Sequence, residues 1–95
     1  MIEREGERCF VRGAVTHAEA EALLAQGERQ FDGGRRVFDF FGVQTADSSA
    51  LSLMLEWTRR AAARNTEIGF TGLGPALLSL IELYGLAELI PLAAE

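Results

Sequence analysis

Ninety-five residues, 48% of them apolar and 24% charged, are enough for one small folded domain over 1–95 and exclude a disordered chain. The longest uncharged run, 68–81, holds three glycines and a proline and is too short and too interrupted to cross a bilayer. The net charge is −5: all nine bases are arginines at or before Arg64, and four glutamates follow with no base among them, so neither nucleic acid nor anionic lipid is an expected direct partner.

The first segment breaks at Gly6 and resumes as Cys9-Phe10-Val11-Arg12, which predicts two short strands joined by a turn. Thr16-His17-Ala18-Glu19 has the form of a capping box, and the alanine-, leucine- and glutamate-rich stretch behind it predicts a helix as far as Gln30. After a turn at Asp32-Gly33-Gly34, the aromatic and β-branched run Arg36–Phe41 reads as a central strand, with Gly42–Ala46 as a connection. Asp39 is out of place in such a strand unless it is paired or lies at the strand's end.

Asp47-Ser48-Ser49 supplies N-cap chemistry for a second helix running to about Arg64, with Asn65 as a left-handed terminator. Leu51, Met54, Leu55, Thr58 and Ala62 fall at core-stripe spacing. Glu67–Thr71 predicts another short strand. Pro75 opens a third helix with Leu77, Leu80, Ile81 and Tyr84 facing inward and Gly85 as its stop. Leu89-Ile90 before Pro91 is either a last short strand or a turn packed on the body. The resulting order, β-β-α-β-α-β-α, predicts an α/β domain: a small, mostly parallel sheet with helices packed against it.

Each residue with chemical potential also has a structural use. A hydroxyl of Ser48 or Ser49 at a helix N-terminus suits an anion, and the same residues are ordinary helix caps. A serine hydrolase needs a base; the single histidine, His17, falls on another helix, and neither serine sits in a G-x-S-x-G elbow, so no catalytic residue is expected. Asp39 and Asp47 suit general acid–base work or a magnesium ion, or else a loop anchor and a cap. Gly72-x-Gly74 lacks the third glycine and the lysine of a phosphate loop, and Cys9 reads as a small buried hydrophobe. Trp57 and Leu53 lie off the Leu51–Leu55 stripe, either as a contact surface or under a neighbouring helix.

Val37-Phe38-Asp39-Phe40-Phe41-Gly42-Val43 followed by Ala46-Asp47-Ser48-Ser49-Ala50-Leu51 resembles the central strand, loop and helix start of STAS domains, the family of anti-sigma-factor antagonists and their relatives. Leu55-Glu56-Trp57, Arg59-Arg60-Ala61, Leu83-Tyr84-Gly85-Leu86 and Glu88-Leu89-Ile90-Pro91 resemble the MlaB-type members. The resemblance implies a STAS-like single domain without catalysis or cofactor, cytoplasmic and peripheral to the inner membrane. Its partner would be the ATPase subunit of an ABC transporter that maintains outer-membrane phospholipid asymmetry. The alternative is an anti-sigma-factor antagonist that partners a serine kinase and is controlled by phosphorylation of Ser48. Phe41 stands where the family usually has a small polar residue and Ala50 where it usually has glycine, which makes the loop more apolar. The expected contact set is Asp47, Ser48, Ser49, Leu53 and an exposed Trp57, with Ser48 at the regulatory position. Leu51, Leu55, Leu77 and Ile81 are expected in the core.

Overall fold

A turn at Gly6 folds β1 (Ile2–Glu5) antiparallel onto β2 (Arg8–Val15). The structure, a computed structural model, describes residues 1–93; Ala94 and Glu95, the end of the expected 1–95 domain, lie outside that range. The capping box starts α1 (His17–Glu28): the Thr16 N–H donates to Glu19 Oε1 at 2.9 Å, so the first orphan donors of the helix have partners. The chain returns as β3 (Gly34–Ala46), parallel to β2, and crosses through α2 (Ser49–Ala63) into β4 (Thr66–Thr71), parallel to β3. Asn65, at φ 52°, makes the left-handed exit from α2. Pro75 begins α3 (Pro75–Leu83). The sheet order is β1-β2-β3-β4, so the predicted element order and the mostly parallel sheet are both present.

Inward positions of the strands (Cys9, Val11, Phe38, Phe40, Ile68 and Phe70) meet Leu23 of α1, Met54 and Trp57 of α2, and Leu77 and Ile81 of α3 in one core. Trp57 is at its centre. Its ring centroid lies 4.6 Å from that of Phe38 and 6.3 Å from that of Phe70, and its Nε1–H donates to the Leu24 carbonyl at 3.2 Å. The expected exposure of Trp57 is therefore corrected: it is 0% exposed, and Leu53 is 4% exposed. The buried residues of α2 are Ala50, Leu51, Leu53, Met54, Trp57 and Ala61. At 100° per residue this arc is rotated by about 80° from the expected stripe. Leu55 and Thr58 are only half-buried and Ala62 is exposed.

Two further departures, and one open alternative now decided, bear on the site. β3 does not stop at Phe41 but runs to Ala46 beside β2, through two register shifts. Tyr84, expected inside, is 56% exposed because α3 ends at Leu83 and the chain turns away. Leu89-Ile90 forms the turn alternative, with Ile90 fully buried; Leu92 then bridges Phe70 on the outer edge of β4.

Candidate functional site

The carboxyl end of β3 delivers Asp47 to a point where two helices begin. One oxygen, Oδ1, accepts the Ser49 N–H at 2.8 Å, and Oδ2 accepts the His17 N–H at 3.2 Å. A single carboxylate thus caps α2 and α1 together and holds their N-termini side by side. These donors, the Ser49 amide first, lower the Asp47 pKa from its ordinary value.

Because Asp47 does the capping, Ser48 is released from it. Ser48 is the first residue to turn, with φ −63° and ψ −16°; its side chain makes no capping hydrogen bond, and it is exposed. Ser49 is half-buried beside Asp47. The expected placement of Asp47, Ser48 and Ser49 together at one helix start is therefore present in the fold. Leu53 lies farther along α2, in the floor of a groove between α1 and α2, and Trp57 lies in the core; neither presents an anchor beside Ser48. The apolar neighbours of Ser48 are instead the buried Leu51 with Leu55, Tyr84 and Leu86, which line a separate groove between α2 and the end of α3.

His17 comes nearer to the serines than its place in the sequence suggests, since it lines the same groove as Ser49. The Asp47 oxygens, however, are taken by the backbone amides of His17 and Ser49 rather than by the imidazole, so the orienting link of a serine–histidine–aspartate triad is not formed. Asp39 answers the question its position raises. Its Oδ2 accepts from Arg8 Nη1 at 2.8 Å and its Oδ1 from the Phe41 N–H at 2.8 Å. It anchors the bulge within β3 and carries an ion pair, and is not half of a carboxylate dyad. Cys9 is buried, and burial pushes its thiol up, away from the reactive thiolate. Among the described residues, no group of three or more His, Cys, Asp or Glu side chains converges as a metal site would require.

Phe41 is the surface residue that sequence reasoning missed. Its place at the end of the aromatic strand run predicts a strand residue, and it is 87% exposed. Phe10 pairs with Asp39 and Arg12 with Gly42, so Phe40 and Phe41 together oppose the single residue Val11. Strand alternation sends successive side chains to opposite faces: Phe38 and Phe40 enter the core and Phe41 points away from it, unpaired with β2 at the bulge. Gly72, at φ +71°, packs against the bulge so closely that a Cβ there would sit 2.8 Å from the Phe41 nitrogen. The signal available in the sequence was the period of two: with Phe38 and Phe40 on one face beside a charged Asp39 on the other, Phe41 falls on the face of Asp39.

Comparison with known proteins agrees with this geometry. A family model described as Mlab, STAS domain matches residues 2–91. The chain belongs to the STAS domains, and within them to the family of that MlaB-type model. No curated protein matches. Among solved structures, the anti-sigma factor antagonist SpoIIAA in its unphosphorylated form superposes with a TM-score of 0.74 at 17% identity, over 100% of this chain and 88% of that one. The phosphorylated form of SpoIIAA, the Bacillus cell fate determinant, superposes at 0.66 with 19% identity, over 100% and 91%. The Mglu structure matches at 0.59 with 23% identity, and there the chain corresponds to only 20% of the larger protein. At these identities the likeness is one of fold.

Proposed function

We propose that this protein is a non-enzymatic docking subunit that binds the ATPase of an ABC phospholipid transporter through the N-terminus of α2, with Ser48 at the centre of the contact. The supporting observation is the division of labour between Asp47 and Ser48. Asp47 satisfies both helix starts, and the exposed Ser48 makes no capping hydrogen bond among the described residues. Asp47, Ser48 and Ser49 form the polar edge of the contact, and Leu55, Tyr84 and Leu86 beside Ser48 supply its apolar part. The choice of an ATPase partner rests on the MlaB-type family, and so does a cytoplasmic location peripheral to the inner membrane.

A second reading, an anti-sigma-factor antagonist switched by phosphorylation of Ser48, draws on the likeness in fold to SpoIIAA in both its forms. A phosphate on Ser48 would add about −1.5 to −2 charge beside Asp47. The helix amides would tolerate it in the free protein, while a partner fitted to a neutral hydroxyl would not.

The test uses Ser48→Ala and Ser48→Glu in the native host. Both variants should melt within about 1 kcal/mol of the parent, since the cap is on Asp47. Ser48→Ala should still co-purify with the ATPase. Ser48→Glu should not, because its charge would be buried unpaired at the contact. Equal recovery of the ATPase with Ser48→Glu would remove Ser48 from the interface. Recovery of a serine kinase that phosphorylates Ser48 would establish the second reading instead.

A further inference from the structure

β3 outruns β4. The two strands pair from Gly34–Thr66 to Asp39–Thr71, and there β4 ends; β3 continues alongside β2 to Ala46. On the side that β4 covers below, Gly42–Ala46 has no strand neighbour among the described residues. An open strand edge presents unpaired N–H and C=O groups and is a ready template for another strand. Where β4 would have continued there is a groove of about 770 Å³, walled by Val43, Gln44, Thr45 and Ala46 on one side and by Leu77 and Leu80 of α3 on the other. The exposed Phe41 stands at one end. Ala46, the last residue of the edge, immediately precedes Asp47 and Ser48 in the chain, which do not themselves line the groove.

We propose that this groove receives an extended, uncharged and apolar segment of the partner protein, which adds to the free edge of β3 as a strand. The proposal rests on the docking reading above and specifies the chemistry of what docks. Charge complementarity selects the occupant: none of the residues lining the groove is charged, so a charged side chain turned inward would lose its water and find no counter-ion. The groove has the length of a short strand, because five residues of bare edge, Gly42–Ala46, accommodate about five of the incoming segment. Ser48 lies only two residues beyond Ala46 in the chain, so one partner can reach both.

The probe is a blocked peptide, acetyl-Val-Thr-Val-Ala-Val-amide at millimolar concentration, with a twin N-methylated at alternate residues. The twin keeps every side chain and loses the donors a strand needs. Backbone amide exchange in Gly42–Ala46 of the full chain is measured with each. The unmethylated peptide should slow at least two of these amides tenfold or more, and the twin should slow none. Ala76→Glu places a charge on the groove wall at the second position of α3, where the helix dipole favours a carboxylate, so the fold survives and protection should disappear. Absence of protection, equal protection by the twin, or protection retained in Ala76→Glu would each overturn the proposal. So would a dimer by sedimentation whose protected amides are these five, since the occupant would then be a second copy. Ser48→Glu should leave peptide protection intact. Loss of the ATPase from Ser48→Glu without any peptide protection would sink the strand proposal and leave the docking reading standing.

Discussion

The Trp57 indole lies against the backbone of Gly27 in α1, and the two residues define each other. A Cβ on Gly27 would stand 2.3 Å from Trp57 Nε1 and 2.4 Å from Cε2, far inside contact distance. In an open helix, Gly→Ala gains about 1 kcal/mol. Here the sign should reverse, with Gly27→Ala losing about 1–3 kcal/mol by overpacking. Trp57→Phe removes the atoms in the way, so the double variant should be more stable than the sum of the two single losses. A coupling of about 0.5–3 kcal/mol by chemical denaturation checks it, and strict additivity would mean that the indole and the helix do not meet. The expected exposure of Trp57 failed for this same reason. Periodicity along α2 weighs only α2's own residues, and what admits tryptophan to the core is a missing side chain 30 positions earlier on a different helix.

At the scale of elements, local chemistry was legible and pairing between elements was not. The capping box at Thr16, the left-handed Asn65 and the opening Pro75 each depend on neighbours in sequence, and each is where the residues put it. The extension of β3 depends on β2 lying alongside, and its glycine, glutamine and threonine gave no strand signal of their own. Asp47 was legible as the cap of α2, whereas its second bond, to the start of α1, comes from the fold. The junction of α1 and α2 is likewise tertiary. Glu28 of α1 pairs across it with Arg60 and Arg64, whereas Glu56 pairs locally, within α2, with Arg59 and Arg60. Hydrogen bonds from Arg59 and then Arg60 hold the Glu56 carboxyl down at about 2, from an ordinary 4.5. A carboxyl lowered in the folded state adds stability that is complete above its unfolded pKa and is lost as pH falls through the folded one. Melting temperature should therefore fall as acid is added between about pH 4.5 and about pH 2, and Glu56→Gln should flatten part of that fall. The effect should be modest, because the pairs are solvated, and it should shrink in salt. An unchanged acid profile in Glu56→Gln would show that the carboxyl makes no net contribution.

At the scale of the whole molecule, the two ends of the chain meet the sheet differently. At the outer strand β1, Glu3, Arg4 and Glu5 are exposed, and such charges discourage edge pairing. At the opposite edge the tail covers β4: the Phe70 N–H donates to the Pro91 carbonyl at 2.9 Å, and the Ala93 N–H donates to Phe70 O at 2.8 Å. Between these contacts and α3, Ile90 plugs into the core with no exposure, while Leu89 beside it is 58% exposed. The adjacent pair gives an internal control for whether the tail belongs to the cooperative fold. Ile90→Ala removes buried methylenes and should cost about 2–5 kcal/mol, a large share of what a domain this small can hold. Leu89→Ala removes an exposed side chain of similar size and should stay within about 0.5 kcal/mol. Urea unfolding of both variants measures the difference, and an unchanged slope with denaturant would show that the tail unfolds together with the sheet. If Ile90→Ala cost no more than Leu89→Ala, the tail would be an appendage and β4 an open edge. The bare stretch of β3 would then no longer be distinguished by its lack of cover, and the case for a strand docking there would weaken with it.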